Sequence, residues 1–383
     1  MIVRKIAVIT GTRADYGIMY YLLKAIQDDP DLELLLIACG MHLSPEFGLT
    51  IKEIETDFPI AAKVDTLLSA DTGGAMAKSI GIGIIGIAQA LEQITPDILV
   101  VLGDRGEMLA AATAALHLNI PIAHIHGGEV TGTVDEMVRH AITKLSHIHL
   151  AATEDSARRI EKMGEDPGRV FVVGAPGLDY IKQAPVINRE ELTEKYPLLA
   201  YSPVLLMTYH PVTTERLQVK EQIERLMEAL VYLKYPVIIT YPNADSGGRE
   251  IVKIIEGYVR DHEFMAIYKN ISQLEYINML RYVDVMIGNS SSGIIEAPSF
   301  KLPVVNIGTR QQGRLRACNV IDVGNSKDEI LQGIDKALHD EGFRSRLKEC
   351  INPYGDGNAS RKIVDILKSI DISGGFIQKR ITY

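Results

Sequence analysis

The stretch "HIHGGEVTGTVDE", residues 124–136, gathers two histidines, two glutamates, an aspartate and three glycines behind the apolar run "LNIPIA". Partly buried carboxylates and imidazoles can be tuned to exchange protons near neutral pH, so the stretch reads first as acid–base chemistry. His126, Glu129 and Asp135 are the candidates within it. "VVLGDRGE" adds Asp104, Arg105 and Glu107 at the end of another apolar run. A metal is the competing reading: His124 and His126 alternate along a strand and share a face, with Asp104 as a third ligand. No second His/Cys cluster with ligand spacing follows, and His147 and His149 lie beyond the next helix. The expectation is therefore proton transfer without a metal.

A second group of residues suits an anion. In "VITGTRADYG", Gly11 allows a tight turn, Thr12 or Asp15 can cap the next helix, and Arg13 sits at its mouth. The plain alternative is an ordinary strand-to-helix turn with a solvated arginine. "IGNSSSGIIEAPS" is more pointed, because Ser290, Ser291 and Ser292 offer amides and hydroxyls at a predicted helix start. Glu296, one turn on, suits the two hydroxyls of a ribose. The loop "TRQQGRLRA" clusters Arg310, Arg314 and Arg316, and arginine forks match a diphosphate. "MTYHPVTTER" and "TYPNADSGG" place His210 and Asn243 after two further strands.

These groups need a scaffold that brings strand ends together. The runs "KIAVIT", "LELLLIA", "DILVVLG", "IPIAHIH" and "RVFVVG" are apolar throughout, which suits parallel strands covered on both faces. Helical patterns lie between them, at 16–28, 76–94, 105–117 and 134–147. A second series, "VLLMTY", "PVIITY", "FMAIY", "VDVMIG" and "PVVNIG", alternates with helices at 214–230, 247–260, 272–280 and 293–299. The expected fold class is α/β, with two Rossmann-like doubly wound domains. Their spans are 1–180 and 181–360, and a helix over about 361–383 packs back on the first. Ligands of such sheets bind at the carboxyl ends of the strands, here in a cleft between the domains.

The chain has 383 residues, too many for one ordinary core. A net charge of −9 gives no bulk attraction to nucleic acid, so an anionic ligand needs a local grip. Three cysteines, an odd and sparse set, argue for a reducing, cytoplasmic setting. The N-terminus lacks a signal-peptide pattern. The apolar window "SIGIGIIGIAQALEQI" is short, glycine-rich and broken by polar residues, so it reads as a buried helix and no membrane partner is expected.

Together, "GTRADYG", "LGDRGE", "HIHGGEVTGTVDE" with "RHAITKLSHIH", "HPVTTE", "GNSSSGIIE", "GTRQQGR" and "YGDGNA" resemble the hydrolysing UDP-N-acetylglucosamine 2-epimerases of bacterial sialic-acid and legionaminic-acid routes. The resemblance covers nearly the whole chain, in order. It implies a GT-B-like pair of Rossmann-like domains facing a central cleft, no metal or other cofactor, a nucleotide-sugar substrate and a homodimer or homotetramer. The implied reaction converts UDP-N-acetylglucosamine to N-acetylmannosamine and UDP, by elimination to a 2-acetamidoglycal and rehydration. A hydrolysing 2-epimerase of UDP- or GDP-N,N'-diacetylbacillosamine is the alternative, because these motifs grip the nucleotide and C1–C2 and leave C4 and C6 unread. A GT-B glycosyltransferase is a third reading.

The resemblance also implies roles. Arg13, Ser290, Ser291 and Arg310 stabilise the departing diphosphate, and Arg105 orients the site. Glu296 holds the ribose, and Asn243 and backbone near Ile271 contact the nucleotide. Asp104, Glu129 and Asp135 are the carboxylates for proton transfer, and His210 stands by the phosphates. Many relatives read His-x-Glu where this chain reads His124-Ile125-His126, so His126 takes the acid–base role or Glu129 reaches in.

Overall fold

The computed structural model describes residues 3–68, 72–131, 134–242, 247–269 and 271–382. The chain divides into two compact units. The first comprises Met1–Glu129, Asp135–Tyr180 and Tyr354–Tyr383; the second comprises Val130–Val134 and Ile181–Pro353.

The first unit is built on a parallel seven-stranded sheet: β1 (Arg4–Thr10), β2 (Leu32–Cys39), β3 (Ile60–Val64), β4 (Ile98–Leu102), β5 (Ile122–Ile125), β6 (Ile148–Ala151) and β7 (Val170–Val172). Their order is β3-β2-β1-β4-β5-β6-β7, so the winding reverses between β1 and β4. Strand β1 shows why its apolar run has no polar face. Ile6 and Val8 enter one core, against helices Arg13–Asp28 and Ala359–Ser369. Ala7 and Ile9 enter the other, against helices Gly73–Ile94 and Gly106–His117. Ile363 and Leu367 of helix Ala359–Ser369 are fully buried, each contributing roughly 1.5–3 kcal/mol. That helix is part of the first core.

Helix Gly73–Ile94 departs from its expected burial. It is long and apolar enough to cross a membrane by length and composition, yet Ile87 and Leu91 lie in the core. Ile82 and Ile85 face outward, so one face is buried rather than the whole helix.

The second unit carries a six-stranded parallel sheet: β8 (Leu205–Thr208), β9 (Val237–Thr240), β10 (Met265–Tyr268), β11 (Val285–Gly288), β12 (Val304–Ile307) and β13 (Val320–Val323). Its order, β10-β9-β8-β11-β12-β13, reverses between β8 and β11. Both units are therefore Rossmann-like doubly wound domains, as the alternation of apolar runs and helices requires. Three helices differ most from expectation. The one expected over about 361–383 is Ala359–Ser369, and no helix follows it through residue 382. Residues 213–218 form a 3-10 segment, so the helix expected from 214 begins at Val219. The helix expected at 293–299 is one α-turn, Ser292–Ile295, followed by the 3-10 turn Ala297–Phe300. Pro298 has no N–H for a further α-helical bond, which stops the turn there.

Candidate active site

In the first unit, the ends of β4 and β5 and the helix Asp135–Leu145 converge on one charged group. Gly103 turns the chain out of β4 with φ +71°, leaving Asp104 at the strand's end. Asp104 is bound by the guanidinium of Arg139, which also donates to Glu129 Oε2 at 3.1 Å. Glu129 Oε1 accepts from His126 Nδ1 at 2.5 Å. A cation thus sits between two carboxylates, one of them shared with an imidazole. Arg139 and Glu129 are buried, and Asp104 keeps 22 % of its side chain exposed, leaving its carboxylate the accessible one. Burial alone would lower the Arg139 pKa; Asp104 and Glu129, with help from Asp135, outweigh it and raise it. Asp135 opens the helix one turn before Arg139.

The period-two reading of the histidines fails at His126. Strand β5 ends at Ile125, and His126 takes a left-handed backbone with φ +61°. His124 remains inside the strand. Its Nε2 donates to the Gly103 carbonyl at 2.7 Å, and Thr143 Oγ1 lies 3.2 Å from Nδ1. Burial lowers its pKa to about 3, so it is a neutral brace for the β4 turn. Among the described residues no three His, Cys, Asp or Glu side chains form a metal-holding group.

A second cluster lies at the end of β1. Thr12 caps helix Arg13–Asp28 by accepting from the Asp15 amide at 3.2 Å, and Asp15 Oδ2 accepts from the Gly11 amide at 3.3 Å. Burial raises the Asp15 pKa to about 6, against the pull of Arg105. Arg105 Nε lies 3.4 Å from Glu107 and 3.9 Å from Asp15. A Cβ at Gly40 would come within 2.9 Å of the Glu107 carboxylate, so glycine there makes room for it. Arg13 points elsewhere, into a half-exposed ion pair with Glu53 at 2.8 Å.

The second unit gathers its polar residues at β8 and β11, where that sheet reverses. Gly288 has φ +123°, and a Cβ there would lie 2.0 Å from the Thr208 carbonyl oxygen. Only glycine fits this approach. The next residue, Asn289, is the hub. Its Oδ1 accepts from the His210 amide at 2.7 Å, and its Nδ2 donates to the His210 carbonyl at 2.8 Å. Its own carbonyl accepts from Arg310 Nη1 at 3.1 Å and from Gln311 Nε2 at 2.8 Å. One asparagine therefore fixes both His210 and the arginine loop beside the serine turn. Ser290 Oγ accepts from the Ser292 amide at 3.3 Å, and Ser291 makes no side-chain cap. Glu296 follows at the end of that turn, half-buried. Ile271 precedes the capping box of Ser272 and Glu275, and Tyr276 of the same helix donates to Ser292 Oγ at 2.9 Å. Asn243 lies outside the described residues. Arg314 Nε reaches the Val130 carbonyl at 3.4 Å, and Arg316 pairs with Asp322 at 2.7 Å.

The structure thus brings Asp104, His126 and Glu129 together through Arg139, with Asp135 at hand, and brings His210, Arg310 and Ser290 together through Asn289. The sequence alone gives Arg139 no role, and it offers Asn289 only as the first polar residue of the serine stretch. "RHAITKLSHIH" contains the first and "GNSSSG" the second, but an arginine on an amphipathic helix ordinarily faces solvent, and an asparagine after a strand is ordinarily a turn residue.

Comparison with known proteins agrees with this architecture. A family model described as UDP-N-acetylglucosamine 2-epimerase matches residues 24–368. The chain is 44 % identical over 382 residues, 100 % of both chains, to the UDP-N,N'-diacetylbacillosamine 2-epimerase (hydrolyzing) of Legionella pneumophila. It is 40 % identical over 322 residues to the GDP/UDP-N,N'-diacetylbacillosamine 2-epimerase (hydrolyzing) of Campylobacter jejuni, covering 83 % of this chain and 84 % of that one. The structure of a UDP-GlcNAc 2-epimerase from Neisseria meningitidis, bound to UDP-GlcNAc, has the same fold, with a TM-score of 0.82 at 21 % identity over 95 % of this chain and 99 % of that one.

Proposed function

The chain belongs to the UDP-N-acetylglucosamine 2-epimerase family, and from that premise we propose that it is a hydrolysing 2-epimerase of nucleotide-linked N,N'-diacetylbacillosamine. The observation that carries the sugar is the 44 % identity to the Legionella enzyme along the full length of both chains. The polar clusters suit the chemistry. The C2 proton of the sugar is weakly acidic, so its removal must accompany departure of the nucleoside diphosphate from C1. A base takes the proton, the C1–O bond breaks, and a glycal forms. Water then adds to C1 while an acid returns a proton to C2 on the opposite face.

In this reading the first unit supplies proton transfer. Asp104 is the base, being the more accessible carboxylate, and Glu129 with His126 forms a hydrogen-bonded pair that can return a proton. Arg139 holds the Asp104 carboxylate in place, and Asp135 and Arg105 shape the field around it. The second unit supplies the leaving-group grip: Arg310, His210 and the Ser290–Ser291 backbone neutralise the diphosphate, and Glu296 takes the ribose hydroxyls. Ile271 borders the base. Arg13, engaged with Glu53, joins the diphosphate only by leaving that surface pair, which costs little. No metal enters these steps.

The second reading keeps the reaction and changes the sugar to UDP-N-acetylglucosamine, as the description of the matching family model favours. Incubation with each nucleotide sugar in D₂O separates the two. We expect release of UDP or GDP from the diacetamido substrate, with deuterium at C2 of the freed, epimerised sugar. Higher kcat/KM on UDP-N-acetylglucosamine would transfer the assignment to the second reading. Retention of the nucleotide on every sugar tested would refute hydrolytic epimerisation.

A further inference from the structure

Helix Asp135–Leu145 presents Arg139 to Asp104 and Glu129 from its first turns, and its other end is held by a residue far along the chain. A helix leaves its last carbonyls without internal partners. Here Lys379 Nζ donates to the Lys144 carbonyl at 2.8 Å and to the Ser146 carbonyl at 2.5 Å. The same ammonium lies 2.6 Å from Glu165 Oε2. Glu165 is buried, and it also accepts from Lys144 Nζ at 2.5 Å and from His149 Nε2 at 3.0 Å. One carboxylate therefore clamps the helix's own lysine and the distant one together.

The segment carrying Lys379 is anchored on both sides. Arg169 donates to the Phe376 carbonyl at 2.9 Å and lies 4.3 Å from the Phe376 ring centroid. His147 Nε2 donates to the Ile377 carbonyl at 3.2 Å, and the Thr382 amide donates to Gly164 at 3.1 Å. Two lysines share a single carboxylate, and the Lys379 ammonium is mostly buried, so burial lowers its pKa despite Glu165. A surface tether would not need that cost. What the ammonium gains is the negative end of one helix.

We propose that Lys379 is a positioning residue for the reaction, fixing helix Asp135–Leu145 along its axis so that Arg139 meets both carboxylates. The proposal rests on the function assigned above. Thr143 completes the path: its Oγ1 lies 2.9 Å from the Arg139 carbonyl and 3.2 Å from His124, which braces the Gly103 turn ahead of Asp104. A slide of this helix would displace the cation and the brace together, and misplacement by about 1 Å can cost roughly 100-fold in rate.

The test is Lys379→Met in the full chain, which keeps the stem and removes the charge. We expect kcat to fall roughly 10- to 100-fold with KM and UDP affinity unchanged, since the nucleotide grip belongs to the other unit. Lys379→Ala should be partly rescued by methylammonium, and Lys379→Arg should recover part of the rate. Phe376→Ala is the control: it loosens the same segment without touching the cation, and should lower Tm while moving kcat less than Lys379→Met does. A Lys379→Met protein with lowered Tm but kcat within about twofold of the unmodified chain would overturn the proposal, as would Lys379→Ala that methylammonium leaves unchanged. Failure of the function assignment would show differently, as no turnover by the unmodified chain.

Discussion

At the residue scale the chemistry turns on a guanidinium between two carboxylates. Asp104 and Glu129 share Arg139, so the charge that orients one also holds the other. Asp104→Asn should abolish nucleotide release while UDP still binds, as measured by product assay and calorimetry. A variant with full turnover would remove Asp104 from the proton path. Arg310→Ala should weaken UDP binding by ~1.5–3 kcal/mol, the usual loss for a charge-assisted contact. Unaltered affinity would mean that this guanidinium only braces the Asn289 carbonyl. Asp104, His126 and Glu129 were readable because ionisable residues at the ends of apolar strands in an α/β pattern have few other reasons to be there. Arg139 was not, because its neighbours Val138 and Ile142 define an apolar stripe and the arginine beside it looks solvated. Only the two carboxylates that meet it, Asp104 and Glu129, give it away. Arg13 shows the converse. The string around it reads as an anion mouth, and the side chain lies against Glu53.

At the element scale, strand ends and turns do the positioning. The runs that became β1, β4, β8 and β11 were legible because both faces are buried and neither face asks for polar residues. Strands β3, β6 and β13 do not stand out as apolar runs in the sequence. β3 and β13 are sheet edges whose solvent side admits Lys63 and Asp322, and β6 is four residues long with His149 in it. The close pass of β8 and β11 yields the sharpest prediction. Gly288→Ala would drive a Cβ into the Thr208 carbonyl and impose a strained backbone, costing at least ~2 kcal/mol in denaturant unfolding. It should also displace Asn289 and with it the His210 and Arg310 contacts, so UDP affinity should fall. Stability and affinity within error of the unmodified chain would contradict the described approach of the strands.

At the scale of the whole molecule, buried histidines set the response to acid. Burial lowers the pKa values of His42, His124 and His147 from the ordinary 6.5 to about 4, about 3 and about 4. All three are neutral in the fold and take up protons more readily unfolded. The stability they sustain above pH 6.5 is therefore lost as pH falls through that value toward 4. Asp15 runs the other way. Its folded pKa is raised to about 6, so its contribution is full below 3.8 and lost as pH rises through about 6. Three groups against one should make Tm drop between pH 6.5 and 4; a flat profile across that window would show that these imidazoles are not held neutral. The division of the chain has its own consequence, for synthesis. Residues 181–353 form most of the second unit without interruption, whereas the first unit needs Ile363 and Leu367 to close one side of its core. On the ribosome, the portion translated first must wait with an apolar flank uncovered until the codon of Leu367 has been read, and the portion translated between is free to mature before it.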